Sequence, residues 1–228
     1  MMTESTARRL IDDEDASTAA DARIMAFFAV SAVLSLVFVF SYVLAPPPDI
    51  GPSEGQLTPN FSGQAHNSGV WEDYTFHDSI DRDWQEGQSG QWFLIQFMDT
   101  DCPYCWNDAA EMSEHHESWS TQVTFITIVL ELQIGGHDGS RAEIEAFKLK
   151  ESHVGCYKGE RDCADRPGEV HNWRYFDALA GDTASDWSIP GTPFSVLVQP
   201  DGVVAWNPQQ HSNDGEEIHD AVQRLVGV

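Results

Sequence analysis

Lysine is almost missing from this chain: it occurs three times, at positions 148, 150 and 158, among 228 residues. Together, Lys and Arg number 12 against 37 Asp and Glu, a formal charge of −25 that disfavours binding to phosphate backbones. Nucleic acid is therefore not a partner. Four cysteines are too few for a disulfide-dense miniature scaffold, and no internal repeat is visible. Apolar material is not scarce. Hydrophobic residues make up 41%, with eight Trp and twelve Phe, enough for a packed core and against wholesale disorder.

One segment lacks charge, Pro and Gly altogether. Residues 24–45, IMAFFAVSAVLSLVFVFSYVLA, would as a helix at ~1.5 Å per residue match a hydrocarbon layer of ~30 Å, and the run reads as a transmembrane helix. A cleaved signal peptide is the competing reading, since Val43, Leu44 and Ala45 would suit a cleavage site. Against it, the run exceeds an h-region of ~7–15 residues, the leader holds Asp12, Asp13, Glu14 and Asp15, and Pro46 would follow the cut. A buried core helix would need more protein around it. Arg8, Arg9 and Arg23 precede the run and no basic residue follows until Arg82, so residues 1–23 are expected in the cytoplasm and the remainder outside. Residues 46–69 hold five Pro, four Gly and three Ser and read as an extended tether, with the folded domain starting near Val70. Residues 46–228 carry 9 basic and 31 acidic residues, net −22, so the acidity belongs to the part expected outside. Such a surface suits a saline exterior that screens self-repulsion.

Within that part, residues 92–98 and 123–130 are nearly continuous apolar runs, the pattern of strands buried on both faces. Helices are expected over 104–118, 141–151 and about 213–226, and further strands over 194–199 and 203–206 around a Pro-Asp-Gly turn. The order implies an α/β fold with a mixed central sheet flanked by helices.

The chemistry lies where the first buried strand ends, at Cys102-Pro103-Tyr104-Cys105. A spacing of two lets the sulfurs reach disulfide distance, and the N-terminus of the following helix offers free N–H groups to the first. Pro103 suits a first helical turn. Cys102 then reads as an exposed nucleophilic thiolate and Cys105 as the resolving thiol, exchanging with a substrate through a mixed disulfide. The pair itself would be the redox group, with no further cofactor. Half of a zinc site has the same spacing, but no second C-x-x-C exists. His115 and His116 fall about 15 Å further along the same helix and are assigned no role, and no metal ligand is expected.

Strand-Cys-Pro-Tyr-Cys-helix, followed about 85 residues later by Ile189-Pro-Gly-Thr-Pro-Phe194 and a strand, resembles the thioredoxin superfamily, above all the membrane-tethered TlpA/ResA-like thiol-disulfide oxidoreductases. The resemblance covers roughly residues 70–228. It implies a thioredoxin fold, a cis-proline at Thr192-Pro193 packed on the active-site disulfide, and substrate contacts from Pro103, Tyr104, Thr192 and Pro193. Protein thiols or disulfides would be the substrates, with a further protein as electron donor or acceptor. The chain departs from the pattern where thioredoxins carry a buried Asp six residues before the first Cys, for Gln96 stands there, and Asp101 replaces the usual aromatic. Asp99 and Asp101 beside the thiol should raise its pKa against the helix terminus.

Residues 152–188 form an insertion containing Cys156 and Cys163, which outside the cell would close a structural disulfide; a second redox pair relaying electrons to Cys102 is the alternative. Arg161, Arg166 and Arg174 form a local basic cluster, read as a solvated face, and Trp71, Trp84, Trp173 and Trp187 read as packing. The reading is a single-pass membrane protein of the cell surface acting as a thiol-disulfide oxidoreductase. A thiol-based copper-binding protein of the same fold is the alternative, although such proteins typically space their thiols by three, and a redox-inactive binding module is a third.

Overall fold

The computed structural model describes residues 24–38 and 49–228. Residues 24–38 form helix α1, exposed along its length, within a unit spanning Met1–Pro47; Pro48–Val228 form a second unit. Among the described residues no helix is long and apolar enough to cross a membrane. The rest of the apolar run, residues 39–45, and the leader 1–23 lie outside the described residues.

The second unit is built on a seven-stranded sheet whose order is β2 (Val70–Thr75), β1 (Ser62–Asn67), β7 (Arg174–Ala178), β4 (Val123–Leu130), β3 (Trp92–Met98), β8 (Phe194–Val198) and β9 (Val204–Trp206). Its centre is β3 (Trp92–Met98) and β4 (Val123–Leu130), parallel and in register from Trp92↔Val123 to Met98↔Val129. Side chains alternate across the pleat. Leu94 and Met98 enter one core with helices α2 (Pro103–Trp119), α3 (Arg141–Leu149) and the last helix (Ile218–Leu225), while Phe93, Ile95 and Phe97 enter a second around Phe61, Phe76 and Trp187. At ~1.5–3 kcal/mol for each large side chain buried, these two cores are the main source of stability. β8 (Phe194–Val198) runs antiparallel to β3, and β9 (Val204–Trp206) antiparallel to β8.

Two segments depart from the sequence reading. The supposed tether is part of the fold from Gly51 onward: the Gly55 N–H donates to the Val204 carbonyl at 2.9 Å, Thr58 and Phe61 are buried, and β1 (Ser62–Asn67) pairs antiparallel with both β2 (Val70–Thr75) and β7 (Arg174–Ala178). Its inward residues are Ala65 and His66, one small and one polar, so no apolar alternation marks it. Gly63 lies in close approach to β7, where a Cβ would sit 3.1 Å from the Phe176 ring and the ring would have to give by a few tenths of an ångström. The insertion 152–188 in turn supplies β7, parallel to β4, as well as the short hairpin β5 (Val154–Gly155) and β6 (Arg161–Asp162) with the irregular turn α4 (Cys156–Gly159) between them. Arg174 and Asp177 interrupt the apolar run of β7, whose buried residues are Tyr175, Phe176 and Ala178.

The last helix starts later than expected, at Ile218, where a reciprocal pair of bonds between Glu217 and Asp220 caps it. The basic cluster is not one face. Arg166 is 1% exposed and donates to the carbonyls of Phe147, Lys148, Pro167 and Glu169, Arg174 pairs with Glu72, and Arg161 lies over the Tyr157 ring. Trp84, Trp173 and Trp187 are buried and Trp71 packs against the first core.

Candidate active site

Beyond Met98 the chain turns over Asp99, Thr100 and Asp101 into α2. Cys102 is the N-cap of that helix, with φ −71° and ψ 119°, and its Sγ accepts the Cys105 backbone N–H at 3.3 Å. The sulfur thus takes the place that a Ser or Asp oxygen occupies in an ordinary cap. Pro103 follows in the first turn. From the other side the Thr192 carbonyl accepts the Cys102 thiol at 3.3 Å, and the Thr192–Pro193 peptide is cis. Phe97↔Phe194 register brings this segment alongside the end of β3. Cys102, Pro103, Cys105, Thr192 and Pro193 therefore lie together at this end of the sheet, with Tyr104 beside them 74% exposed.

Cys102 and Cys105 are free thiols. Contrary to the reading of an exposed nucleophile, Cys102 is only 3% exposed, covered by the Thr192 segment and its own helical turn. Its pKa is nevertheless pulled down to about 6: the hydrogen bond from the Cys105 thiol leads, burial opposes, and the Thr192 side chain and the N–H groups of Cys105 and Tyr104 add to the lowering. Cys105 moves the other way, raised strongly by burial and then by its neighbour Cys102. Two thiols one turn apart are thereby split into an acidic and a protonated partner.

The flanking acids do not act as anticipated. Asp99 is pushed up to about 6 by burial, and its carboxylate accepts the N–H groups of Asp101 and Leu132 at 2.8 and 2.9 Å. Asp101, 1% exposed, directs its oxygens to His137 Nδ1 at 2.8 Å and to the Gly159 N–H at 2.7 Å. The net direction at Cys102 is downward.

Gln96 is buried, and its Nε2 donates to Asp108 Oδ2 at 2.7 Å while its Oε1 accepts from Thr127 Oγ1 at 3.2 Å. Asp108 is a site residue that the sequence reading missed. It stands three residues after Cys105, hence on the same helical face, and burial first, with Glu111 next, pushes its pKa up to about 6. With Pro190, Pro193, Phe194, Trp206 and Ile218 it lines a groove of about 400 Å³. The signal available was the i, i+3 spacing, together with an amide where the family pattern has an acid.

Cys156 and Cys163 form a disulfide with both residues fully buried, in the same core cluster as the two thiols. Among the described residues, ligand atoms of Asp101, His137 and Glu143 lie within 4.8 Å of one another, an arrangement able to hold a cation, and the group includes neither thiol. His115 stacks on Trp119, and His116 packs at a tilt against Trp173.

No family model matches the chain, and no curated protein matches it in sequence. In structure it is similar to the reduced 2-Cys peroxiredoxin of Plasmodium vivax, with TM-score 0.50, 12% identity and coverage of 76% of this chain and 80% of that one. It also resembles the thioredoxin domain of a thiol-disulfide oxidoreductase from Bacteroides vulgatus, with TM-score 0.48, 13% identity and 77% and 96% coverage. A thiol:disulfide interchange protein from a Bacteroides species gives TM-score 0.46, 13% identity and 80% and 93% coverage. At such identities the likeness is one of fold. The chain carries a thioredoxin-like α/β fold with a dithiol at the N-terminus of its first sheet-packed helix.

Proposed function

We propose that the chain is a thiol-disulfide oxidoreductase, anchored in the membrane by residues 24–45, that exchanges disulfides with protein thiols outside the cytoplasm. The observation that carries the activity is the split between the two thiols: Cys102 capped by a helical N–H and acidic, Cys105 buried and protonated. In the reducing direction the Cys102 thiolate attacks one sulfur of a substrate disulfide. That S–S bond breaks, the departing sulfur leaves as a thiolate that takes a proton, and a mixed disulfide remains on Cys102. Cys105 then loses its proton to Asp108 and attacks the Cys102 sulfur. The second substrate thiol is released and Cys102–Cys105 closes, two electrons having passed to the substrate. Oxidation is the same path reversed, and a partner protein returns the pair to its starting state.

Pro103, Tyr104, Thr192 and Pro193 form the substrate-facing rim, and the groove beside Asp108 receives the substrate chain. The anchor rests on the uncharged run 24–45 and on the basic residues that precede it. Cys102→Ser should abolish turnover in an insulin-reduction or dithiol-oxidation assay, and Cys105→Ser should accumulate mixed disulfides. Equal activity of wild type and Cys102→Ser would refute the assignment.

A further inference from the structure

The loop closed by Cys156 and Cys163 is fastened to the turn that delivers Cys102. Tyr157 N–H donates to the Thr100 carbonyl and Lys158 N–H to the Asp101 carbonyl, each at 3.0 Å, and Gly159 N–H donates to Asp101 Oδ1 at 2.7 Å. Three successive N–H groups reach one dipeptide because Tyr157, Lys158 and Gly159 all have positive φ, at 55°, 63° and 72°. Side chains other than glycine rarely adopt that region, so something must hold the loop in it. The disulfide closes the loop across these residues, and both its cysteines are fully buried, which leaves neither sulfur open to a partner. Gly159 is doubly constrained, since a Cβ there would also meet the His137 ring at 2.9 Å.

His137 completes the arrangement. Its Nδ1 lies 2.8 Å from Asp101 Oδ2 and 3.8 Å from Glu143 Oε2, while the other Glu143 oxygen accepts the Thr100 hydroxyl. An aspartate immediately before a thiolate ordinarily repels the charge forming there. Here each Asp101 oxygen has a partner, and none of those partners is Cys102, whose sulfur faces Thr192 and the Cys105 N–H.

We propose that the Cys156–Cys163 loop and His137 form a clamp that keeps the Asp101 carboxylate turned from the Cys102 sulfur, so that the reactivity of Cys102 depends on the loop being closed. The disulfide is then a positioning element of the active site and not an electron relay. The inference rests on Cys102 being the attacking thiol. The titratable groups that act on Cys102 are Cys105 and Asp108, both on α2, and those around Asp101 are His137, Glu143 and Asp99.

The test is the pH profile of Cys102 alkylation by iodoacetamide in the full chain, read by mass spectrometry. Cys156→Ser/Cys163→Ser should raise the midpoint by about one unit, or about tenfold slower alkylation below it, and Asp101→Asn added to that variant should restore the wild-type midpoint. A loop serving stability alone would show no such rescue. Should the double variant not fold, His137→Ala on the half-exposed side frees one Asp101 oxygen, and the same rise and rescue are expected. An unshifted midpoint in a folded variant, or a rise that Asp101→Asn does not reverse, overturns the clamp. Failure of the oxidoreductase reading shows separately, as wild-type protein without insulin turnover.

Discussion

Replacing Asp108 with Asn isolates the proton transfer that the resolving step requires. Cys105 cannot attack while protonated, and burial together with its neighbour Cys102 holds its proton far more tightly than a free thiol would. Asp108, one turn further along α2, carries a carboxyl pushed up to about 6, mainly by burial, then by Glu111 and, among lesser causes, by the Cys102 charge. In a mixed disulfide Cys102 no longer carries that charge, so the rise is smaller, its chief cause still burial, and Asp108 ionises between the ordinary carboxyl range and about 6. Resolution of a preformed mixed disulfide in a single turnover should therefore accelerate with pH through that range and level off by about pH 7. Asp108→Asn keeps the shape and can still accept from Gln96. It should lose the inflection and slow resolution about 100-fold, the lower end of what a positioned base contributes. Stability should move the opposite way. A carboxyl whose folded pKa lies above its unfolded value of 3.8 favours the folded state most below 3.8, and that advantage disappears as pH rises to about 6. At pH 7 the ionised group costs about 1–3 kcal/mol, so Asp108→Asn should raise the urea midpoint at pH 7 and leave it unchanged near pH 3. Resolution within twofold of wild type, with the inflection retained, would refute the role.

Gly63→Val forces a side chain against Phe176, whose ring meets that of Phe61 edge to face at 4.9 Å, and should destabilise the domain by about 1–3 kcal/mol in urea; an unchanged midpoint would show that β1 is not packed as described. His171, 1% exposed between Tyr175 and the Ala109 carbonyl, is held well below 6.5 by burial and then by Arg166. The unfolded chain takes up that proton first, so stability should fall as pH drops below 6.5, and the fall should be shallower in His171→Gln. With net −22 over residues 46–228, thermal stability should rise between dilute and molar salt, and equal stability in both would argue that self-repulsion is negligible.

The centre of the sheet was legible because β3 and β4 lie between two apolar cores, so every inward and outward residue is apolar apart from Gln96 and the threonines of β4. The dithiol and the Thr192–Pro193 segment were legible as motifs. β1 and β7 were not, since Ala65, His66 and Arg174 belong to strands whose burial depends on partners far off in sequence. The same limit hid the site's electrostatics. Asp101 beside Cys102 suggests repulsion until His137 and Gly159 are seen to occupy its oxygens, and Gln96 suggests a lost acid until Asp108 is found across from it.

The pairing of β1 with β7 has a consequence for how the chain is made. Ala65 meets Phe176 across about 110 residues of sequence, so a chain emerging N-terminus first produces the β1–β2 hairpin long before its neighbouring strand exists. During that interval the β1 edge that β7 will later cover is open, in addition to the outer edge of β2. Its composition answers the hazard. Gln64, His66 and Asn67 along β1 and Glu72 and Asp73 along β2 give the two edges little to aggregate with, and the glycine at position 63 leaves room for the Phe176 ring that arrives later. The polarity that made these residues look like a linker is what keeps them soluble until the sheet can close.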